Sequence, residues 1–299
     1  MTALIVVLAL LAALSNASAS VFQRRAAAAE PADGDGARGA LRLFARLLRR
    51  PYWLAGALLL LASTVLQAAA LAEGSLSLVQ PLLTAELLFT LAVGSVVFGH
   101  RPDRRTWLAF TALAAGLALF LGTAAPSGAR TTASPGRWLL AGAVAAGVVA
   151  GLVLVARTVR GAPRAALLGL ASAVSFACTA ALLKEVMGRL SQGVGAVPAQ
   201  WPPYATVAAG LVAFALLQGS LRAGTLAASQ PALTLGDALT SVALGWALFQ
   251  EHIVLGVRIV PELIGVTLIG LGSVGLARAP SVSGAWDAPR RPEEEADVR

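Results

Sequence analysis

A single cysteine, a single lysine and two histidines in a chain of 299 residues exclude several kinds of chemistry at once. Cys178 lies inside an apolar run, so neither a disulfide framework nor a Cys/His metal cluster can form. His100 and His252 fall at the ends of apolar runs, where a solvated interfacial role is expected. No GxxxxGK[ST] loop occurs, which argues against direct ATP drive. No HExxH or GxSxG motif occurs, nor paired histidines or aspartates on one apolar segment, so the chain is not expected to be an enzyme or to carry a cofactor. Charge is scarce too: Asp, Glu, Lys and Arg make up 13% of the residues, about half the share in soluble domains.

What fills the chain instead is apolar: 57% of residues are hydrophobic and the mean hydropathy is +0.76. Uncharged runs near twenty residues recur, the length a helix needs to cross about 30 Å of hydrocarbon. Because buried backbone must bond internally in lipid and the runs do not alternate, helices are expected rather than a barrel. The pattern predicts an all-α integral membrane protein of about nine spans, at 2–22, 52–72, 74–98, 106–123, 138–156, 165–187, 204–220, 224–249 and 259–277. The small residues at Ala17–Ser20 imitate a signal-peptide cleavage site. However, no basic residue precedes that run and Arg24 and Arg25 follow it, which favours a retained first span.

The basic residues sort by loop. Counting the odd-numbered loops and the tail gives 18, from Arg24 to Arg299, against 5 on the other side: Arg130, Arg137, Lys184, Arg189 and Arg258. Such a bias predicts a multi-pass plasma-membrane protein with its N-terminus outside and its C-terminus cytoplasmic. It also explains the net charge of +8 without nucleic acid. Residues 37–50 alternate Leu41, Phe44, Leu47 and Leu48 with Arg42, Arg46, Arg49 and Arg50, an amphipathic helix suited to an anionic leaflet. Residues 280–299 are polar, with Glu293–Glu295, and are expected to form a disordered cytoplasmic tail.

The chain also repeats itself. The stretch from Gly74 through Gln80 and Pro81 to Thr84 recurs, 150 residues on and without a gap, from Gly224 through Gln230 and Pro231 to Thr234. Upstream, Gln67 answers Gln218, Leu14–Ala17 answers Val174–Ala177, and Arg24 answers Lys184. Downstream, Ala109 and Gly116 answer Gly265 and Gly272. Residues 1–123 then form a first four-helix unit, 124–164 a linking span, and 165–279 a second unit. An odd number of spans separates equivalent positions, so the units are expected to be inverted relative to each other. Secondary transporters commonly use that arrangement, with the binding site at the midplane between the units.

At these residues the chain resembles the drug/metabolite transporter superfamily. The stretch from Gln230-Pro231 through Gln250-Glu251 to Gly265 and Gly272 is similar to its EamA-type half. The nine-span count, the basic segment after the first span and Val79-Gln80-Pro81-Leu82 lean toward its NIPA-like branch, which implies a cation such as magnesium as cargo. The likeness spans about residues 9–276. It departs at Phe98-Gly99-His100, where the acidic residue found at Glu251 is lacking.

Asp237 is the leading candidate for the pathway, because it lies near the middle of its span, where a carboxylate is costly unless it faces protein or water. Gln230, Thr234, Asp237 and Ser241 recur at i, i+4, i+7 and i+11 and share one helical face. Glu86 lies at similar depth, but on a regular helix it sits roughly 120° from Gln80 and off the Gln80–Thr84 face. Pro81 and Pro231 each remove a backbone donor and are expected to kink their helices at the path. Gln67, Gln218 and Asn16 are the remaining polar candidates. Gly116, Gly265 and Gly272 are expected to permit close helix packing, and Glu73, Lys184, Glu185, Glu251 and Glu262 to be solvated at span ends.

The expected function is secondary transport of a small metabolite or cation by alternating access, with proton coupling through Asp237 or Glu86. The alternatives are an uncoupled divalent-cation pathway, with Asp237 and Glu86 as metal-facing groups, and a non-transporting scaffold. The expected partners are a small-molecule or ion substrate and the lipid bilayer; a homodimer is left open.

Overall fold

The computed structural model describes residues 2–28, 49–99, 102–123, 130–190, 193–223, 226–251 and 259–278. The predicted amphipathic helix at 37–50, apart from Arg49 and Arg50, and the predicted tail at 280–299 lie outside the described residues, as do His100 and His252.

Among the described residues the chain is helical throughout, with no strand. The helices are α1 (Thr2–Ala28), α2 (Pro51–Glu73), α3 (Leu76–Leu83), α4 (Glu86–Phe98), α5 (Arg104–Thr123), α6 (Pro135–Thr158), α7 (Ala162–Leu190), α8 (Pro202–Ala223), α9 (Leu226–Phe249) and α10 (Ile259–Ala277). A short 3₁₀ turn, Val194–Ala199, precedes α8. Proline opens three of them, Pro51, Pro135 and Pro202, where its missing N–H costs nothing and its fixed φ suits the first turn.

Seven segments are long and apolar enough to cross a membrane: 3–26, 51–73, 76–98, 135–158, 162–190, 202–223 and 232–249. The chain is therefore a helical protein compatible with membrane embedding. Helices also occupy the fourth and ninth predicted segments, as α5 and α10, but neither is among those seven, and the apolar part of α10 is the shorter 264–276. Large apolar side chains cover the exterior, including Leu58, Leu61, Leu139, Leu140, Leu211 and Trp246, each more than 60% exposed. In water such a surface would aggregate; in lipid it matches its solvent.

Contacts sort the connections into two ends. Lys184 reaches the carbonyl of Gly74, Glu185 accepts from the Ala133 amide, and the Arg130 amide donates to the Phe249 carbonyl. The chain after α2, before α6, at the end of α7 and after α9 therefore gathers at one end. There Trp138 stacks edge-on with Trp201 at 5.5 Å. At the other end Arg25 donates to the Val97 carbonyl and lies over the Tyr52 ring. Aromatic and arginine side chains at both ends are what a membrane-water interface favours.

The core joins α1, α2, α3, α4, α5, α7, α9 and α10. Its tightest contact is α5 against α10. A Cβ on Gly116 would stand 2.7 Å from the Ile269 amide nitrogen, and one on Gly272 2.5 Å from that of Leu113. These glycines meet backbone rather than flexible side chains, so the close packing expected of them is present. The contact is also reciprocal. The pairing that equates Gly116 with Gly272 turns Leu113–Gly272 into Ile269–Gly116, and both are made.

The third predicted segment departs from a regular span. It divides at Thr84–Ala85, where the bonds shorten to Thr84 N–H to Pro81 O, Ala85 N–H to Leu82 O and Leu87 N–H to Thr84 O. Pro81 lies inside α3, three residues before the break. In the repeat, α9 runs unbroken from Leu226 to Phe249, so the division that follows Pro81 is not repeated after Pro231.

Candidate transport cavity

Helices α2, α3, α4, α7, α8 and α9 line a partly open cavity of about 410 Å³. Six of the residues singled out from the sequence line it: Gln67, Gln80, Thr84, Glu86, Thr234 and Asp237. The two broken-span helices and α9 present repeat-equivalent positions, since Leu83 with Leu233, Thr84 with Thr234, and Leu87 with Asp237 keep the spacing that equates Gln80 with Gln230.

Glu86 overturns the phase argument made from a regular helix. In the turn between α3 and α4 the i→i+3 bonds advance the chain about 120° per residue instead of 100°. Over the few residues involved this recovers roughly 60–80° of the roughly 120° offset. Glu86 accordingly lines the same cavity as Gln80 and Thr84. Asn16 on α1 donates its side-chain amide to Glu86 Oε2 at 2.7 Å, so Asn16 acts through Glu86 and not from the lining itself.

The other candidates stand apart. Pro81 is buried within α3 but is not a lining residue. Ser241 is fully buried on α9 beyond Asp237, with no partner for its hydroxyl among the described residues, and also lies off the lining. Gln218 is half-buried on α8 and does not contribute. Gln230 and Pro231 belong to α9 by backbone; their side chains lie outside the described residues.

Sequence reasoning missed Thr64, Thr179 and Thr206, which complete the polar lining. Each lies in an apolar run without a repeat partner to draw attention. Their hydroxyls donate to their own helices, Thr64 to Leu60 O at 3.0 Å, Thr179 to Ser175 O at 2.8 Å and Thr206 to Pro202 O at 2.9 Å; Thr84 does likewise to Pro81 O at 2.7 Å. With the hydroxyl hydrogens spent on backbone, these oxygens are left as acceptors. Asp237 Oδ1 and Gln80 Nε2 are buried with no partner among the described residues, and Gln80 is only 4% exposed. Among the described residues the lining contains no lysine, arginine or histidine. Apolar walls come from Leu83, Leu87, Phe176, Leu183 and Leu233.

Beside the cavity, three charged groups expected to be solvated are buried. Lys184, Glu185 and Glu251 are 3%, 0% and 3% exposed. Glu251 accepts from the amides of Leu76 at 2.7 Å and Ser77 at 2.9 Å, and pairs with Lys184 Nζ at 3.2 Å. Glu185 pairs with Arg189 at 2.8 Å and accepts from the Ala133 amide. The snorkelling expectation failed because these side chains find partners on other elements: helix N-terminal amides, a carbonyl and each other, which offset their desolvation. Glu73 is exposed, as expected. The Glu262 side chain lies outside the described residues.

No family model and no solved structure matches this chain. An uncharacterised protein of Corynebacterium glutamicum is 30% identical over 251 residues, covering 83% of this chain and 85% of its own length. This chain belongs to that protein's family. The shared region is long enough to include most of the helices around the cavity.

Proposed function

We propose that the protein is a secondary transporter of the drug/metabolite type, carrying a small cationic metabolite or cation through this cavity by alternating access. The observation that supports the cation is the acceptor-rich lining. Two carboxylates and four threonine oxygens turned into acceptors line a space with no basic side chain among the described residues. A carboxylate at such depth is costly unless it faces protein or water, and a cation passing by is the partner that compensates it. The cavity volume lies within the range of small-molecule sites, and its leucine and phenylalanine walls suit a cargo with an apolar part.

The inverted repeat, the nine spans and the plasma-membrane location with N-terminus outside belong to the same reading. The reciprocal α5–α10 contact and the equivalent lining positions on α3–α4 and α9 support it, as does the placement of alternate connections at opposite ends. An axis in the membrane plane, relating two units around a midplane cavity, would produce these three features together. The burial of Ala9, Ala12, Ala13 and Ala17 of α1 in the interior supports a retained first helix.

The test is flux into proteoliposomes, screened first by thermal stabilisation against organic amines and divalent ions. Uptake that varies with the proton gradient and becomes independent of it in Asp237→Asn supports a coupled carrier. Undiminished gradient-driven flux in that variant would refute coupling through Asp237. Gradient-independent magnesium currents would favour the uncoupled cation pathway. A protein unaltered when Asp237 and Glu86 both become alanine would be a scaffold.

A further inference from the structure

We infer that Glu251 and Lys184 form a latch that holds one mouth of the cavity shut, and that the opposite mouth has no equivalent. The inference rests on the alternating-access reading above. Glu251 and Lys184 belong to the second repeat, whereas Gly74, Leu76 and Ser77 belong to the first. Glu251 accepts two amides at the N-terminus of α3, and Lys184 bonds both Glu251 and the Gly74 carbonyl. The pair therefore stitches the two halves together. It does so directly over the cavity: Leu183, next to Lys184, lines it, and the α3 helix that Glu251 caps presents Gln80 and Thr84 to it.

Two local features hold the carboxylate in place. Gln250 is the one non-glycine residue with positive φ among the described residues, at 55°. Such a conformation is strained for an L-residue. It turns the chain back at the end of α9, so that the Glu251 amide donates to Gly245 O at 3.1 Å. Gly245 in turn leaves room for the carboxylate, since a Cβ there would overlap Glu251 Oε2. The carboxylate also meets the positive end of α3, where backbone N–H groups lack helical partners.

The repeat shows what the other end lacks. The pairing of Gln80 with Gln230 places Arg101 opposite Glu251, and Arg24 answers Lys184. Two cations stand in sequence where the second repeat has an acid and a base, so this carboxylate latch cannot be rebuilt there. Opening the latched mouth requires Glu251 to leave two amides and an ammonium, and the resting population is held with that mouth closed.

The experiment uses Cys178→Ala with Thr179→Cys as a reporter in the lining. A membrane-impermeant maleimide is applied to each side of oriented vesicles. Glu251→Gln, Lys184→Met and Gly245→Ala should each raise labelling from the side bearing Gln250 by roughly tenfold or more, and lower it from the other side. Unchanged labelling in folded Glu251→Gln overturns the latch. If that variant does not fold, Gly245→Ala decides the matter, because it keeps every charge and displaces only the carboxylate. Flux that becomes gradient-independent in Asp237→Asn, with unchanged labelling here, would sink the latch alone. Raised labelling in a protein that carries nothing would sink the transport reading alone.

Discussion

The same substitution, glycine to alanine, should have opposite signs in two helices of this protein. At Gly272 an added Cβ would meet three atoms of Leu113: the backbone nitrogen at 2.5 Å, Cβ at 2.6 Å and Cα at 2.7 Å. Two of these are backbone and none can rotate away. Ordinary contact begins near 3.4 Å, so α5 and α10 must part by the better part of an ångström along a contact that runs from Gly275 to Gly265. Overpacking of this kind costs about 1–3 kcal/mol. At Gly147 on α6 nothing lies within 4 Å of the added carbon. There the change only exchanges a poor helix former for the best one, a gain of up to about 1 kcal/mol. The difference between the two variants should therefore be about 1–4 kcal/mol. At 2–4 °C per kcal/mol this is at least about 2 °C of melting temperature. The single cysteine makes the assay direct: Cys178 is partly buried in α7, and a thiol-reactive fluorogenic dye reports its exposure as the protein unfolds in detergent. Equal melting of Gly272→Ala and Gly147→Ala, or a more stable Gly272→Ala, would refute the claim that backbone contact between α5 and α10 holds the two halves together.

Asn16→Ala should remove the donor from Glu86 Oε2 and destabilise the protein by about 1–3 kcal/mol, read by the same dye, whereas Gln218→Ala, away from the lining, should cost less. Gln250→Gly should relieve the left-handed backbone and raise the melting temperature; a fall would show that the φ of 55° carries no strain. Asp103, which caps α5, accepts from the Thr106 hydroxyl and from its amide at 3.0 Å, and these bonds hold its carboxyl below the usual range. Its folded pKa is thus lower than its unfolded one, so its contribution is present above the unfolded value and lost as pH falls through the folded value. Asp103→Asn should flatten that part of the acid limb of stability against pH, and an unchanged limb would refute the assignment.

Most of the helical layout was legible in the sequence because lipid imposes a length and bars charge. The predicted boundaries differ from the observed helices by up to six residues, most at the end of α1, and by two or three where proline starts a helix earlier than hydropathy does, as at Pro135 and Pro202. The glycines were legible because the repeat set Gly116 beside Gly272. Two things were not legible. The tightened turn at Thr84–Ala85 depends on tertiary packing, and without it Glu86 falls on the wrong face of a regular helix. The burial of Lys184 and Glu251 depends on the first repeat presenting bare amides at Leu76 and Ser77, partners that lie 175 residues from Glu251 in the case of Leu76 and 174 in the case of Ser77. Hydropathy reads a charge at a helix end as solvated; only the fold shows what it meets.

These departures follow one rule. Where the two repeats touch each other through backbone, at α5 and α10, their equivalence persists, because a larger residue on either side would push both helices apart. Where they face the cavity, equivalence is kept in the threonines, Thr84 and Thr234, but not in the acids: Asp237 answers Leu87, and Glu86 reaches the space through a broken turn that α9 lacks. At the cavity mouth it is gone, with Glu251 answering Arg101. Scaffold contacts constrain both copies equally, because each is half of one interface. Residues at the cavity are not halves of one shared contact, so nothing couples one copy's choice to the other's. On the transport reading proposed above, such a protein keeps a symmetric frame around an asymmetric path, and its two mouths need not open at equal cost.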